Sequence, residues 1–188
     1  MIRVLLLLML ILSACPACIE AAPVLREGSQ LVFTSRQMGV PISGEFARFD
    51  ADVRFDPKDV KSSGATISID VNSIDAGSDD ATVEIKRRTW LDAAGYQRAE
   101  FKSSSLARLG PGLYRVTGKM TIKGTAREVS APFSAKKEKD NWLFEGKFVL
   151  KRLDFKIGEG AWADTDTVDN EVEVAFKFYV PASSVKNK

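Results

Sequence analysis

The stretch Trp142-Leu143-Phe144-Glu145-Gly146-Lys147-Phe148-Val149-Leu150 puts an apolar or small residue on every second position. The same beat returns at Val172, Val174, Phe176, Phe178 and Val180, with Glu171, Glu173 and Lys177 in between. A period of two belongs to a β-strand with one apolar face and one wetted face.

Similar runs extend outward along the chain. Gly28 to Met38 reads as a first strand, with Leu31 and Phe33 on one face. Phe49, Ala51, Val53 and Phe55 alternate with Asp50, Asp52 and Arg54, until Asp56-Pro57 stops the run because proline brings no ladder donor. Ile67, Ile69 and Val71 form another run, Phe101 to Leu106 a weaker one, and Tyr114, Val116, Gly118, Met120 and Ile122 the next. Lys123-Gly124-Thr125 is a tight turn, and Val129, Ala131, Phe133 and Ala135 return from it. Asp140-Asn141 turns the chain into the Trp142 stretch. About eight strands spaced roughly 8–12 residues apart are the pattern of an all-β sandwich or barrel. The exception is Ser78 to Ala94. There Asp79 or Asp80 can cap a helix, and Val83, Lys86, Arg87, Trp90 and Leu91 follow helical spacing. This segment reads as one short helix over an end of the sheet.

The 188 residues suit one domain with a substantial core. Basic and acidic residues nearly balance, at 27 and 25, so no basic face for nucleic acid is expected. The chain has no histidine. The commonest general base and the commonest zinc ligand are therefore missing, and Ser103-Ser104-Ser105 has no partner for a Ser-His-Asp mechanism. Asp92 and Glu100 are carboxylates that nothing in the sequence brings together. Asp164, Asp166 and Asp169 form an acidic connection, but the glycine and final glutamate of a calcium loop are absent, so it reads as solvated. Arg87-Arg88 reads likewise as a solvated pair. No catalytic residue, no metal and no cofactor is expected.

Arg3 followed by the apolar run Val4 to Leu12 is too short to span a bilayer and fits a secretory signal over residues 1–22. Leu12-Ser13-Ala14-Cys15 resembles a lipobox, with cleavage before Cys15 and lipidation of that cysteine. Cleavage after Ala17 or Ala22 is the alternative, and it releases a soluble protein. The mature domain is expected over 23–182, with a frayed tail over 183–188. Cys15 and Cys18 are the only cysteines, so the folded part holds no disulfide or thiol nucleophile. Export without disulfides points to a bacterial periplasm. The remaining signal is aromatic: 11 phenylalanines and 3 tryptophans, many on alternating strand positions. Such residues either fill a core or line a hole, and a barrel of about eight strands is wide enough for either.

Several short motifs, in order, resemble the YceI family. They are Gly44-Glu45-Phe46 with Phe49 and Phe55-Asp56-Pro57, then Ile69-Asp70-Val71-Asn72-Ser73-Ile74, then Trp90-Leu91-Asp92 with Tyr96 and Phe101-Lys102-Ser103. Val116 to Thr125 is similar to that family's G-x-L-T-I-K-G-x-T hairpin. Lys151-Arg152-Leu153-Asp154-Phe155 with Ile157-Gly158 resembles its R-x-D-F-G-I segment. Three places depart from the pattern. Gln97-Arg98 stands where a proline is usual, Lys156 stands where a glycine is usual, and Met38-Gly39-Val40-Pro41-Ile42 replaces a histidine-bearing stretch.

The resemblance implies an antiparallel, eight-stranded, lipocalin-like barrel with one short helix capping an end. It also implies an exported carrier, not an enzyme, that holds a long isoprenoid lipid or an isoprenoid quinone in the barrel lumen. The expected lipid-binding wall is Phe33, Phe49, Val53, Phe55, Ile67, Ile69, Trp90, Met120, Ile122, Phe133, Trp142, Phe144 and Phe148, with Trp90 and Leu91 in a lid. The competing expectation is a filled barrel acting as an interaction module for a membrane redox or envelope protein. Membrane association would then come from that partner or from a lipidated Cys15.

Overall fold

Alternation along the chain is realised as one sheet of 11 strands. They are β1 (Ala22–Pro23), β2 (Leu25–Gln37), β3 (Val40–Phe46), β4 (Phe49–Arg54), β5 (Gly64–Asp70), β6 (Ile74–Asp75), β7 (Arg98–Gly110), β8 (Leu113–Ile122), β9 (Thr125–Glu138), β10 (Asn141–Lys151) and β11 (Glu171–Pro181). One α-helix, α1 (Asp79–Ile85), is inserted between β6 and β7. The computed structural model describes residues 22–182. The expected signal segment, apart from Ala22, lies outside them, as do Cys15 and the tail 183–188. Among the described residues no helix is long and apolar enough to cross a membrane.

The spatial order is β1-β4-β5-β7-β8-β9-β10-β11-β2-β3-β6, with every pairing antiparallel. The two stripes read from the sequence lie side by side. Trp142 faces Val180, Phe144 faces Phe178, Gly146 faces Phe176, Phe148 faces Val174 and Leu150 faces Val172. Residues directly opposite in an antiparallel pair share a face, so the stripes form one continuous apolar wall.

The expected count of eight strands does not hold, because long strands break where they change partner. The Val24 N–H still donates to Ala51 O of β4 at 2.8 Å, whereas Leu25 already faces Tyr179 of β11. A second break comes at Ala47–Arg48, whose N–H groups donate to Ser73 O and Ser73 Oγ instead of to a strand. These breaks let the sheet curl. The segment Ala22–Leu25 carries pairing from β4, near one end of the strand order, to β11 in its other half.

Three further readings change. β3 was not expected as a strand; it forms because Met38 and Gly39 turn the chain with φ of 51° and 78°, and Val40 to Phe46 then pairs back on β2. β7 is longer than the weak signal at Phe101 to Leu106 suggested, since β5 and β8 pair with it on both sides. The helix is shorter than Ser78 to Ala94. Ser78, not Asp79 or Asp80, is its N-cap, accepting from Ala81 N at 3.3 Å. After Ile85 the chain leaves the helix in a series of turns, with Asp92 at φ 50°, and these carry Trp90 and Leu91 into the core.

Candidate functional site

Among the described residues, the inner face of the curled sheet surrounds two chambers, one wholly apolar and one mainly so. The larger, about 660 Å³, lies beneath α1, the β2–β3 hairpin and the connection from Lys151 to Glu171. The smaller, about 100 Å³, is lined entirely by apolar side chains, among them Val53, Phe55, Phe133, Phe144 and Phe178. Leu31, Ile69, Met120, Phe148 and Val174 line both, so the chambers meet at a waist midway along the strands. Beyond the small chamber Phe55 packs edge-on to Tyr114, Trp142 and Phe144 at 5.1–5.5 Å between ring centres. The lumen is therefore wide at the helix end and stopped by aromatic rings at the other.

This geometry sorts the thirteen wall residues expected from the sequence. Phe33, Trp90 and Ile122 line the large chamber. Val53, Phe55, Ile67, Phe133 and Phe144 line the small one. Ile69, Met120 and Phe148 line both. Phe49 and Trp142 line neither. Phe49 sits at the kink after Arg48 and packs on Phe178 at 5.4 Å, and Trp142 belongs to the aromatic stop. Trp90 is held in the floor of the loops, against Trp162 at 5.4 Å, and is not part of α1.

Three glycines keep the wall thin enough for its rings. A Cβ on Gly44 would stand 2.4 Å from the Phe33 ring, one on Gly118 would stand 2.6 Å from Phe101, and one on Gly146 would stand 2.6 Å from Phe176. In each case a phenylalanine on the neighbouring strand lies across the space a side chain would take. Such close approaches are what a strand glycine permits.

The polar anchor of the wide end escaped sequence reading. Arg152 is 1 % exposed, and each of its five N–H groups meets a backbone carbonyl. Nε donates to Asp169 O at 3.0 Å, Nη1 to Ile157 O at 2.9 Å and Gly158 O at 3.1 Å, and Nη2 to Trp162 O at 2.7 Å and Val168 O at 2.8 Å. No carboxylate is among these partners. Its guanidinium also lies 5.6 Å from the Trp90 ring. Burial pushes its pKa down, but a guanidinium remains charged. The side chain thus staples the connection from Lys151 to Glu171 over the lumen. The clue was the R-x-D-F segment itself, in which a charged residue precedes the buried Phe155.

Lys123 makes a second staple. In the two-residue turn Lys123 and Gly124 have φ of 49° and 69°, as such hairpins require. Its Nζ, on a side chain 7 % exposed, donates to Arg88 O at 2.7 Å, Lys156 O at 2.9 Å and Glu159 Oε2 at 2.7 Å. The bond from Lys123 holds the Glu159 carboxyl below its ordinary value.

The remaining candidates have local roles. Asp164 accepts from Asp166 N and Thr167 Oγ1, which lowers its pKa and closes a loop. Among the described residues no group of three or more acidic, histidine or cysteine side chains is placed to hold a metal. Arg87 pairs with Glu84 at 2.9 Å, and the exposed Glu100 sits on β7 opposite Thr121.

Comparison with known proteins agrees with this architecture. Residues 24–180 match the YceI-like domain. The crystal structure of Burkholderia cenocepacia BcnA superposes with a TM-score of 0.81 at 37% identity, over 83% of this chain and 98% of that one. A polyisoprenoid binding domain from Saccharophagus degradans shares the fold, with a TM-score of 0.70 at 16% identity over 86% of this chain and 98% of that one. A UPF0312 protein of Vibrio cholerae is 28% identical over 88 residues, 47% of each chain, so the chain spans about half the length of the first curated relatives it matches. With that match running from Val24 to Val180, the chain belongs to the family of YceI-like domains.

Proposed function

We propose that this protein is a non-catalytic binder or carrier of a long isoprenoid lipid, an isoprenoid quinone included, held in the lumen of the curled sheet. The observation that carries the reading is the pair of joined, mainly apolar chambers, of about 660 and 100 Å³, in a place where a filled core would leave no room. The volume of the larger chamber is typical of a small-molecule site. Transfer of the ligand out of water drives binding, at about 0.8 kcal/mol per buried CH₂, against the cost of immobilising a flexible chain. The likeness to a polyisoprenoid binding domain supports the ligand class.

The apolar walls and the absence of histidine favour binding over catalysis. Placement in a bacterial periplasm, free or anchored through Cys15, rests on the N-terminal segment. Solvent extraction of the protein purified from its native host, followed by mass spectrometry, is the test. A prenyl lipid in near-stoichiometric amount is expected. Recovery of none, together with failure to take up added prenyl lipid, would overturn the reading.

A further inference from the structure

Among the described residues three buried side-chain polar atoms have no hydrogen-bond partner: Ser35 Oγ, Trp90 Nε1 and Trp142 Nε1. Trp142 lies in the aromatic stop and borders neither chamber. The other two share a location. Ser35, 8 % exposed, and Trp90, 9 % exposed, both line the large chamber. Ser35 lies on the inward stripe of β2, two residues after Phe33, and Trp90 rises from the turns after α1. An unpaired buried polar group is costly, and native proteins rarely keep one without a use.

Charge on the same wall narrows what those groups can receive. The charged residues lining the chamber are Asp80, Glu84 and Arg152. Asp80 is an exposed acid at the rim and would repel an anion, and Glu84 is already paired with Arg87 at 2.9 Å. Arg152 has all five N–H groups committed to carbonyls, so it has none left for a phosphate oxygen. The narrow chamber holds no polar residue at all.

From these features, and resting on the proposed isoprenoid-binding function, we infer that the wide chamber is a head-group subsite for a neutral, oxygen-bearing head. The Ser35 hydroxyl and the Trp90 indole N–H donate to a carbonyl or hydroxyl oxygen of the ligand. The tail passes the waist at Met120 and Phe148 into the blind apolar chamber. A prenyl diphosphate is disfavoured, since among the described residues that line the chamber the sole cation, Arg152, has no donor left for it and Asp80 opposes its charge.

Four ligands that share one tail test this: geranylgeraniol, a menaquinone with a geranylgeranyl tail, geranylgeranyl diphosphate and the headless hydrocarbon phytane. Affinities are read from tryptophan fluorescence. The alcohol and the quinone are expected to bind about tenfold tighter than phytane, the gain of roughly one or two hydrogen bonds. The diphosphate is expected to bind no tighter than phytane. Ser35→Ala and Trp90→Phe should each cut the preference for alcohol over phytane at least about threefold. Ser35→Ala should also leave the unfolding midpoint of the ligand-free protein unlowered, because the hydroxyl supports no internal bond. Tightest binding of the diphosphate, equal binding of alcohol and phytane, or variants that keep the preference would each overturn the subsite. If none of the four binds, the isoprenoid reading itself falls.

Discussion

Gly146 of β10 stands directly across from Phe176 of β11, and a Cβ on the glycine would reach within 2.6 Å of that ring and 2.5 Å of Pro132 O. The ring can turn aside, but the carbonyl is backbone and belongs to the neighbouring β9 ladder. Gly146→Ala is therefore expected to lower stability by about 1–3 kcal/mol, as overpacking does. The denaturant midpoint measures it. A midpoint equal to or above that of the wild type would show that the wall adapts.

Arg152 offers a sharper loss. Arg152→Met keeps the bulk and removes five donors, leaving carbonyls of Ile157, Gly158, Trp162, Val168 and Asp169 to find other partners. The expected cost is about 3 kcal/mol or more. Hydrogen exchange should rise first over residues 156–169, because those loops are what the guanidinium holds. Uniform exchange across all strands would mean that the residue supports the whole sheet instead.

Lys156 occupies the left-handed region at φ 59°, capping the turn Arg152–Phe155, and its N–H donates to Arg152 O and Leu153 O. The backbone there suits glycine, which carries no Cβ to strain a left-handed conformation. Lys156→Gly is expected to raise stability by about 0.5–1 kcal/mol, read as a higher denaturant midpoint with an unchanged slope. The lysine's own carbonyl, which Lys123 uses, is untouched by the change.

Much of this was legible because alternation is a local property. The stripes Trp142–Leu150 and Val172–Val180 announced their shared face before their register was known, and eleven of the thirteen residues read as lumen wall do line it. The failures came where tertiary pairing overrides local pattern. The kink at Ala47–Arg48 is set by Ser73, 25 residues away, and it turns Phe49 off the lumen. The helix ends at Ile85 because the next turns bond elsewhere; Thr89 O accepts from both Gly158 N and Glu159 N. Arg152 was hidden for a related reason. Its five acceptors are main-chain carbonyls, which leave no mark in a sequence.

Acid should loosen the wide end. Glu159 is held below its ordinary value of 4.5 mainly by the Lys123 hydrogen bond, and Asp70 below 3.8 mainly by the Arg48 hydrogen bond. Asp164 is held below 3.8 by the N–H of Asp166 and then Thr167. A carboxyl with a depressed folded pKa contributes stability above its unfolded pKa and loses it as pH falls through the folded one. The unfolding midpoint is thus expected to stay flat from about pH 8 to 5.5, with no histidine to titrate, and to fall below about pH 4.5. Lys123→Met should flatten part of that acid limb, and an unchanged limb would show that Glu159 draws nothing from Lys123.

Separating an accessible lumen from solid core needs a residue at the waist, not in the aromatic stop. Phe144 contacts Phe55 at 5.1 Å and stacks on Trp142, so Phe144→Asp buries a charge among rings and is expected to unfold the protein whatever the lumen does. Val174 is the better site. It lines both chambers, is only partly buried, and faces Phe148 on one side and Phe33 on the other. Val174→Trp would send an indole into the passage, where the chambers give it room. Far-UV circular dichroism should be unchanged and stability should move by no more than about 1–3 kcal/mol, the range of ordinary overpacking. Uptake of a long prenyl lipid should fall at least about tenfold, since each isoprene unit denied burial forfeits several kcal/mol of transfer energy. Full uptake in the folded variant would place the lipid outside the lumen.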